Sequence, residues 1–113
     1  MPYITAKTNV AISKEKEIVL KKALGKAIES FPRKSETWLM IQFEDESRMW
    51  FQGSDEPAAM VEVKIFGRGS EDSYAKMTKI VCELFEKELG IPGGRVYVRY
   101  DECFLWGMDG KNF

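Results

Sequence analysis

The chain has 113 residues, 44% hydrophobic and 31% charged, with 17 basic and 18 acidic side chains and a net charge of −1. That size and balance fit one globular domain, residues 1–113, and exclude a disordered chain or a general electrostatic pull toward nucleic acid or membrane. The absence of histidine excludes Ser-His-Asp and Cys-His nucleophile systems and most transition-metal sites.

In chain order, Tyr3 to Thr8 alternates weakly and predicts a first strand. Pro2 stands at its start, where no ladder bond has to be donated. A small second residue, proline included, generally permits removal of the initiator methionine. Trimming would leave Pro2 with a free secondary amine, either a trivial chain end or the most reactive base in the protein. Ser13 is a helix N-cap, with Glu15 and Glu17 in the first turn. Leu20, Leu24, Ala27, Ile28 and Phe31 form one helical stripe, and Pro32 stops it. Thr37 to Phe43 is bulky and continuous and predicts a buried strand. Arg48 to Gly53 predicts a short edge strand ending in a glycine turn.

Ala58 to Phe66 predicts a long strand with Met60, Glu62, Lys64 and Phe66 on one face and Val61, Val63 and Ile65 on the other. Ser70 caps a second helix with the stripe Tyr74, Met77, Val81, Leu84 and Phe85. Gly90 fits its C′ position, and Pro92 prevents continuation. Arg95 to Asp101 is the last long strand, with Arg95, Tyr97, Arg99 and Asp101 on one face. The tail, Phe104 to Phe113, is aromatic and turn-rich. Cys82 and Cys103 form no CxxC or zinc pattern, and no bridge between them is expected.

The order predicts an α+β fold: a tandem β-α-β repeat, a four-stranded mixed sheet, two helices on one face, and short edge strands. The bare sheet face needs cover. A homo-oligomer with sheets packed inward supplies it; a ferredoxin-like monomer with a partly open sheet is the alternative. No apolar run approaches the roughly 20 residues that span a bilayer. No basic-then-apolar leader is visible, so the expected location is cytoplasmic, or outside the cell by a route without a signal peptide. An enzyme built from this chain needs a carboxylate, a lysine, a tyrosine or an amine terminus as its base.

Five segments together carry a resemblance: MPYI at the start, the lysine in PRKSETWLM, GSDEPAAMVEVKIFG, GIPGGRVYVRYD, and WGMDGKNF at the end. The ordered set resembles the macrophage migration inhibitory factor family of the tautomerase superfamily along the whole chain. The resemblance implies a homotrimer with sheets around a central axis and sites at subunit interfaces. It implies keto–enol tautomerisation of phenylpyruvate-like aromatic α-keto acids, with the N-terminal proline as base and no cofactor. Lys34 falls on the family's site lysine, which holds the substrate carboxylate. Tyr97 falls on the site tyrosine that reaches across a subunit boundary. Tyr3, Trp38, Phe66, Met108 and Phe113 are the implied walls, Met108 replacing a rim aromatic. Arg99 stands where the mammalian cytokine has asparagine; it either contacts the enolate oxygen or pairs with Asp101. The cytokine's CxxC is missing, since Ala58 and Val61 occupy those places.

The chemistry agrees with these residue types. A base for proton transfer at carbon should titrate near working pH. An α-amino group starts near about 8, and apolar walls and a nearby cation both lower it. Pro2 is therefore the expected base after loss of Met1. The other reading is a cytokine-like or host-mimic ligand for a receptor ectodomain, with a vestigial pocket. Neither reading involves nucleic acid or membrane.

Overall fold

The computed structural model describes all residues, Met1–Phe113. The main elements are β1 (Pro2–Thr8), α1 (Lys14–Ala27), β2 (Met40–Glu44), β3 (Ala59–Phe66), α2 (Glu71–Leu89) and β4 (Val96–Cys103). A hairpin of β5 (Gly107–Met108) and β6 (Lys111–Asn112) closes the chain.

Both helices start and stop on local chemistry. Ser13 Oγ accepts the Lys16 N–H at 3.1 Å, and Ser70 Oγ accepts the Ser73 N–H at 3.1 Å, each satisfying a backbone donor that the helix leaves unpaired. Gly90 ends α2 in the left-handed region at φ 69°, and its N–H returns to the Glu86 carbonyl. The α1 stripe continues through a short 3₁₀ turn, Ile28–Ser30, and Leu20, Leu24, Ala27, Ile28 and Phe31 are all buried.

The sheet order is β2-β1-β3-β4. β1 and β2 are parallel, β3 and β4 are parallel, and the two pairs meet antiparallel along β1 and β3. The α+β fold with a four-stranded mixed sheet is thus as expected. Ile4, Ala6, Val61, Val63 and Ile65 face the helices and join Met77, Val81, Phe85 and Ile91 in one core. Side chains alternate across a strand, so Tyr3, Lys7, Glu62 and Lys64 fall on the other sheet face. No helix is long and apolar enough to cross a membrane.

Two expected strands differ from the structure. Thr37 and Trp38 lie in a 3₁₀ turn, Glu36–Trp38, and strand β2 begins only at Met40. β2 is an edge strand rather than a buried one, and Met40 is 68% exposed. The large residues of this stretch divide: Leu39, Ile41 and Phe43 pack half-buried against the core, while Trp38 and Met40 line a surface cavity. Arg48 to Gly53 forms no strand. It makes one antiparallel bridge, Phe51 to Ser54, around Gln52 and Gly53, both at positive φ (52° and 77°). Two consecutive left-handed residues close a tight turn. The short strands of the fold are instead β5 and β6 in the tail.

Candidate active site

Pro2 is buried at the start of β1, where it pairs with Ile65 of β3. It lies in the wall of a cavity of about 240 Å³ with Tyr3, Trp38, Met40, Trp106, Gly107 and Met108. Each wall arrives by a local device. The 3₁₀ turn delivers Trp38. The β1–β2 register sets Met40 opposite Tyr3. Asp109 and Gly110, both at positive φ, fold the tail into a tight hairpin that presents Trp106, Gly107 and Met108. The Phe113 N–H donates to the Trp106 carbonyl at 2.9 Å, and the Phe113 ring packs 6.1 Å from Phe66.

Lys34 is placed by the corner after α1. Arg33 takes a left-handed φ of 67°, and the Lys34 N–H bonds back to the Phe31 carbonyl at 3.2 Å. The Lys34 ammonium donates to the Phe66 carbonyl at 2.9 Å. The Phe66 N–H donates to the Met1 carbonyl at 3.0 Å. Phe66 therefore links the lysine to the chain terminus through its backbone. The terminal amine is held below its ordinary pKa, first by burial and then by the charge of Lys34. An ammonium is disfavoured at this end of the sheet.

Tyr97 and Arg99 are not part of this cavity within one chain. Tyr97 pairs with Met60, five positions along β3 from Ile65. At about 3.3 Å per residue this is roughly 16 Å along the sheet from Pro2. Tyr97 instead lines a second cavity of about 230 Å³ with Trp50, Phe51, Met60 and Arg95 among its walls. Its ring meets Phe51 edge-on at 4.8 Å. Arg99 pairs with Asp101 at 3.3 Å and Glu62 at 3.6 Å. Glu62 also lies 3.1 Å from Lys7 and 3.6 Å from Lys64, and its carboxyl is held below the ordinary glutamate range, chiefly by the hydrogen bond from Lys7. The largest depression, about 700 Å³ between α1 and β2, is an open groove beside the Lys14–Glu17 ion pair, and Pro2 is not among its lining residues.

Of the expected site residues, the structure gathers Pro2, Tyr3, Trp38 and Met108 around one cavity. Lys34, Phe66 and Phe113 join that end by hydrogen bonds and packing. Met40 and Trp106 are further walls. Met40 lay unmarked within the continuous bulky run Thr37 to Phe43, and Trp106 within the aromatic tail, so no residue-level signal singled out either as a wall.

The chain matches the family model described as Macrophage migration inhibitory factor (MIF) over residues 1–111. Macrophage migration inhibitory factor of Xenopus laevis is 28% identical over 100 residues, covering 88% of this chain and 86% of the relative. The homolog from Trichuris trichiura is 29% identical over 101 residues, covering 88% and 87%. The crystal structure of Leishmania major MIF2 matches with a TM-score of 0.93 at 33% identity, covering 100% of this chain and 97% of that one. A homologue from Prochlorococcus marinus matches with a TM-score of 0.82 at 27% identity, covering 98% of each chain. The strand order, the proline at residue 2 on the sheet end and a family match running almost from end to end agree, and the protein belongs to the macrophage migration inhibitory factor family.

Proposed function

We propose that the protein is a cofactor-independent keto–enol tautomerase of phenylpyruvate-like α-keto acids, working as a homotrimer. The observation that carries this reading is Pro2, buried in an aromatic and methionine-walled cavity beside an amine terminus made less basic by burial and by Lys34. With Met1 in place the proline nitrogen is an amide and has no basic lone pair. Removal of Met1 makes it a secondary amine in surroundings that disfavour its charge.

Neutral Pro2 takes a proton from the carbon next to the ketone. The C–H electron pair becomes the enol double bond, the carbonyl oxygen takes a proton from water, and the Pro2 ammonium returns its proton to the resulting hydroxide, which restores the neutral amine. The reverse path returns the keto acid. Loss of Met1 also removes the carbonyl that accepts from the Phe66 N–H. This donor and the Lys34 ammonium then form a pair suited to the substrate carboxylate. Trp38, Trp106 and Met108 enclose the aromatic end. Tyr97 of a neighbouring subunit closes the site, which accounts for its distance from Pro2 within one chain. Arg99 is assigned to the charged sheet face.

The test is turnover of phenylpyruvate by material whose intact mass shows loss of Met1. Pro2→Gly should lower kcat by about 100-fold or more, as for a lost general base. Full activity in material that retains Met1 overturns the mechanism.

A further inference from the structure

Arg95 stands just before β4, and its guanidinium is committed to backbone. Nε donates to the Pro57 carbonyl at 2.8 Å and Nη1 to Phe51 at 3.0 Å. Nη2 donates to Ser54 at 3.2 Å and to Glu56 at 3.0 Å. Arg95 takes part in none of the chain's ion pairs. Asn9, just after β1, grips the same loop: its Nδ2 donates to the Asp55 and Glu56 carbonyls, and its Oδ1 accepts from the Ala58 N–H at 2.8 Å. A loop with one β-bridge has few internal partners for its carbonyls, and these two side chains supply them.

The same guanidinium lies over the Phe51 ring, 5.3 Å from its centroid. Phe51 in turn meets Tyr97 edge-on at 4.8 Å. One cation thus fixes the loop backbone, contacts the ring that the loop carries, and through it buttresses a tyrosine that is otherwise 58% exposed.

We propose that Arg95 is a positioning residue for ligand binding: through the Phe51–Pro57 loop it holds the Tyr97 ring in place before substrate arrives. The inference rests on the shared site proposed above, in which Tyr97 completes a neighbour's Pro2 cavity. An aromatic wall fixed in advance loses no rotamer freedom on binding, an advantage of roughly two- to tenfold in affinity. Lysine cannot replace the arginine, because a single ammonium lacks the planar fork that spans four carbonyls.

The test is steady-state turnover of phenylpyruvate, together with its binding read by tryptophan fluorescence, in Arg95→Lys, Phe51→Leu, Phe51→Tyr and Pro2→Gly. Arg95→Lys and Phe51→Leu should raise KM and Kd about two- to tenfold. Their kcat should stay within about twofold of wild type, with the acid limb of the pH profile unmoved. Phe51→Tyr should keep wild-type values. Unchanged KM and Kd in Phe51→Leu overturns the proposal, even if Arg95→Lys fails to fold. Parallel losses in kcat and active fraction also overturn it, since they mark general loss of structure. Should Pro2→Gly turn over normally while Phe51→Leu still weakens binding, the proline mechanism fails and this inference stands. Absence of phenylpyruvate binding by the wild type overturns both.

Discussion

Lys34 donates to a carbonyl rather than to a carboxylate, so no acid cancels its charge beside the terminal amine. Lys34→Ala should therefore weaken substrate binding by about tenfold, the scale of a lost charge-assisted hydrogen bond. It should also move the acid limb of kcat/KM to higher pH. A cation disfavours the ammonium form, so its removal raises the base's pKa and delays activity as pH rises. At the Met1 amine burial outranks Lys34 as the cause of the lowered pKa; if the same order holds at a trimmed Pro2, the limb should move only part of the way toward the ordinary value. A pH-rate profile of Lys34→Ala with unchanged KM and an unmoved limb would place the carboxylate elsewhere. Arg99 gives the opposite expectation. It is 61% exposed and already paired with Glu62 and Asp101. Arg99→Ala should leave kcat within about twofold and cost less than about 1 kcal/mol of stability. A tenfold fall in kcat would move Arg99 from the sheet face to the reacting oxygen.

Among the elements, α2 depends on its cap. Ser70 Oγ accepts from the Ser73 N–H and also contacts the Ser73 hydroxyl at 3.0 Å. Ser70→Ala should cost about 1 kcal/mol, measured as a lower denaturant midpoint with an unchanged slope. The caps, Gly90 and both helical stripes were readable from residue type, because a cap needs a specific oxygen and a buried stripe needs a fixed period. Strand β3 was readable for the same reason, its alternation separating Val61, Val63 and Ile65 from Glu62 and Lys64. The stretch before β2 misled because large apolar residues have uses other than a core: Trp38 walls a cavity and Met40 sits at a sheet edge. Arg48 to Gly53 misled because a turn with two left-handed residues was closed by Gln52, not by glycine alone. At the site, the Pro2–Lys34 end was legible only through family resemblance. The Arg95 clamp was not legible at all, since carbonyl partners leave no mark on residue type.

For the whole molecule, the charged sheet face is the feature that must be covered or solvated. Light scattering at micromolar concentration should report about three times the 13.0 kDa chain mass. Within that face Glu62 is the shared partner of Lys7, Lys64 and Arg99. Its pKa is lowered in the fold, so its contribution is present above the ordinary glutamate range and lost as pH falls through the lowered value. Glu62→Gln should be less stable than wild type near neutral pH. The two should converge only in acid, once the pH has fallen below that lowered value and protonation removes the same charge from the native protein. A gap that persists in acid would assign Glu62 to packing rather than charge. Strand β2 carries a further consequence. Its outer side has no neighbour in the chain, so Met40 to Phe43 presents unpaired backbone donors and acceptors with no lysine or proline among them. Such an edge templates growth by added strands. A subunit released from the proposed homotrimer, by dilution or by acid, would therefore be a seed for fibrillar aggregation. Thioflavin fluorescence should rise on prolonged incubation of dilute or acidified protein, and Gln42→Lys, at an exposed position of the same edge, should suppress it.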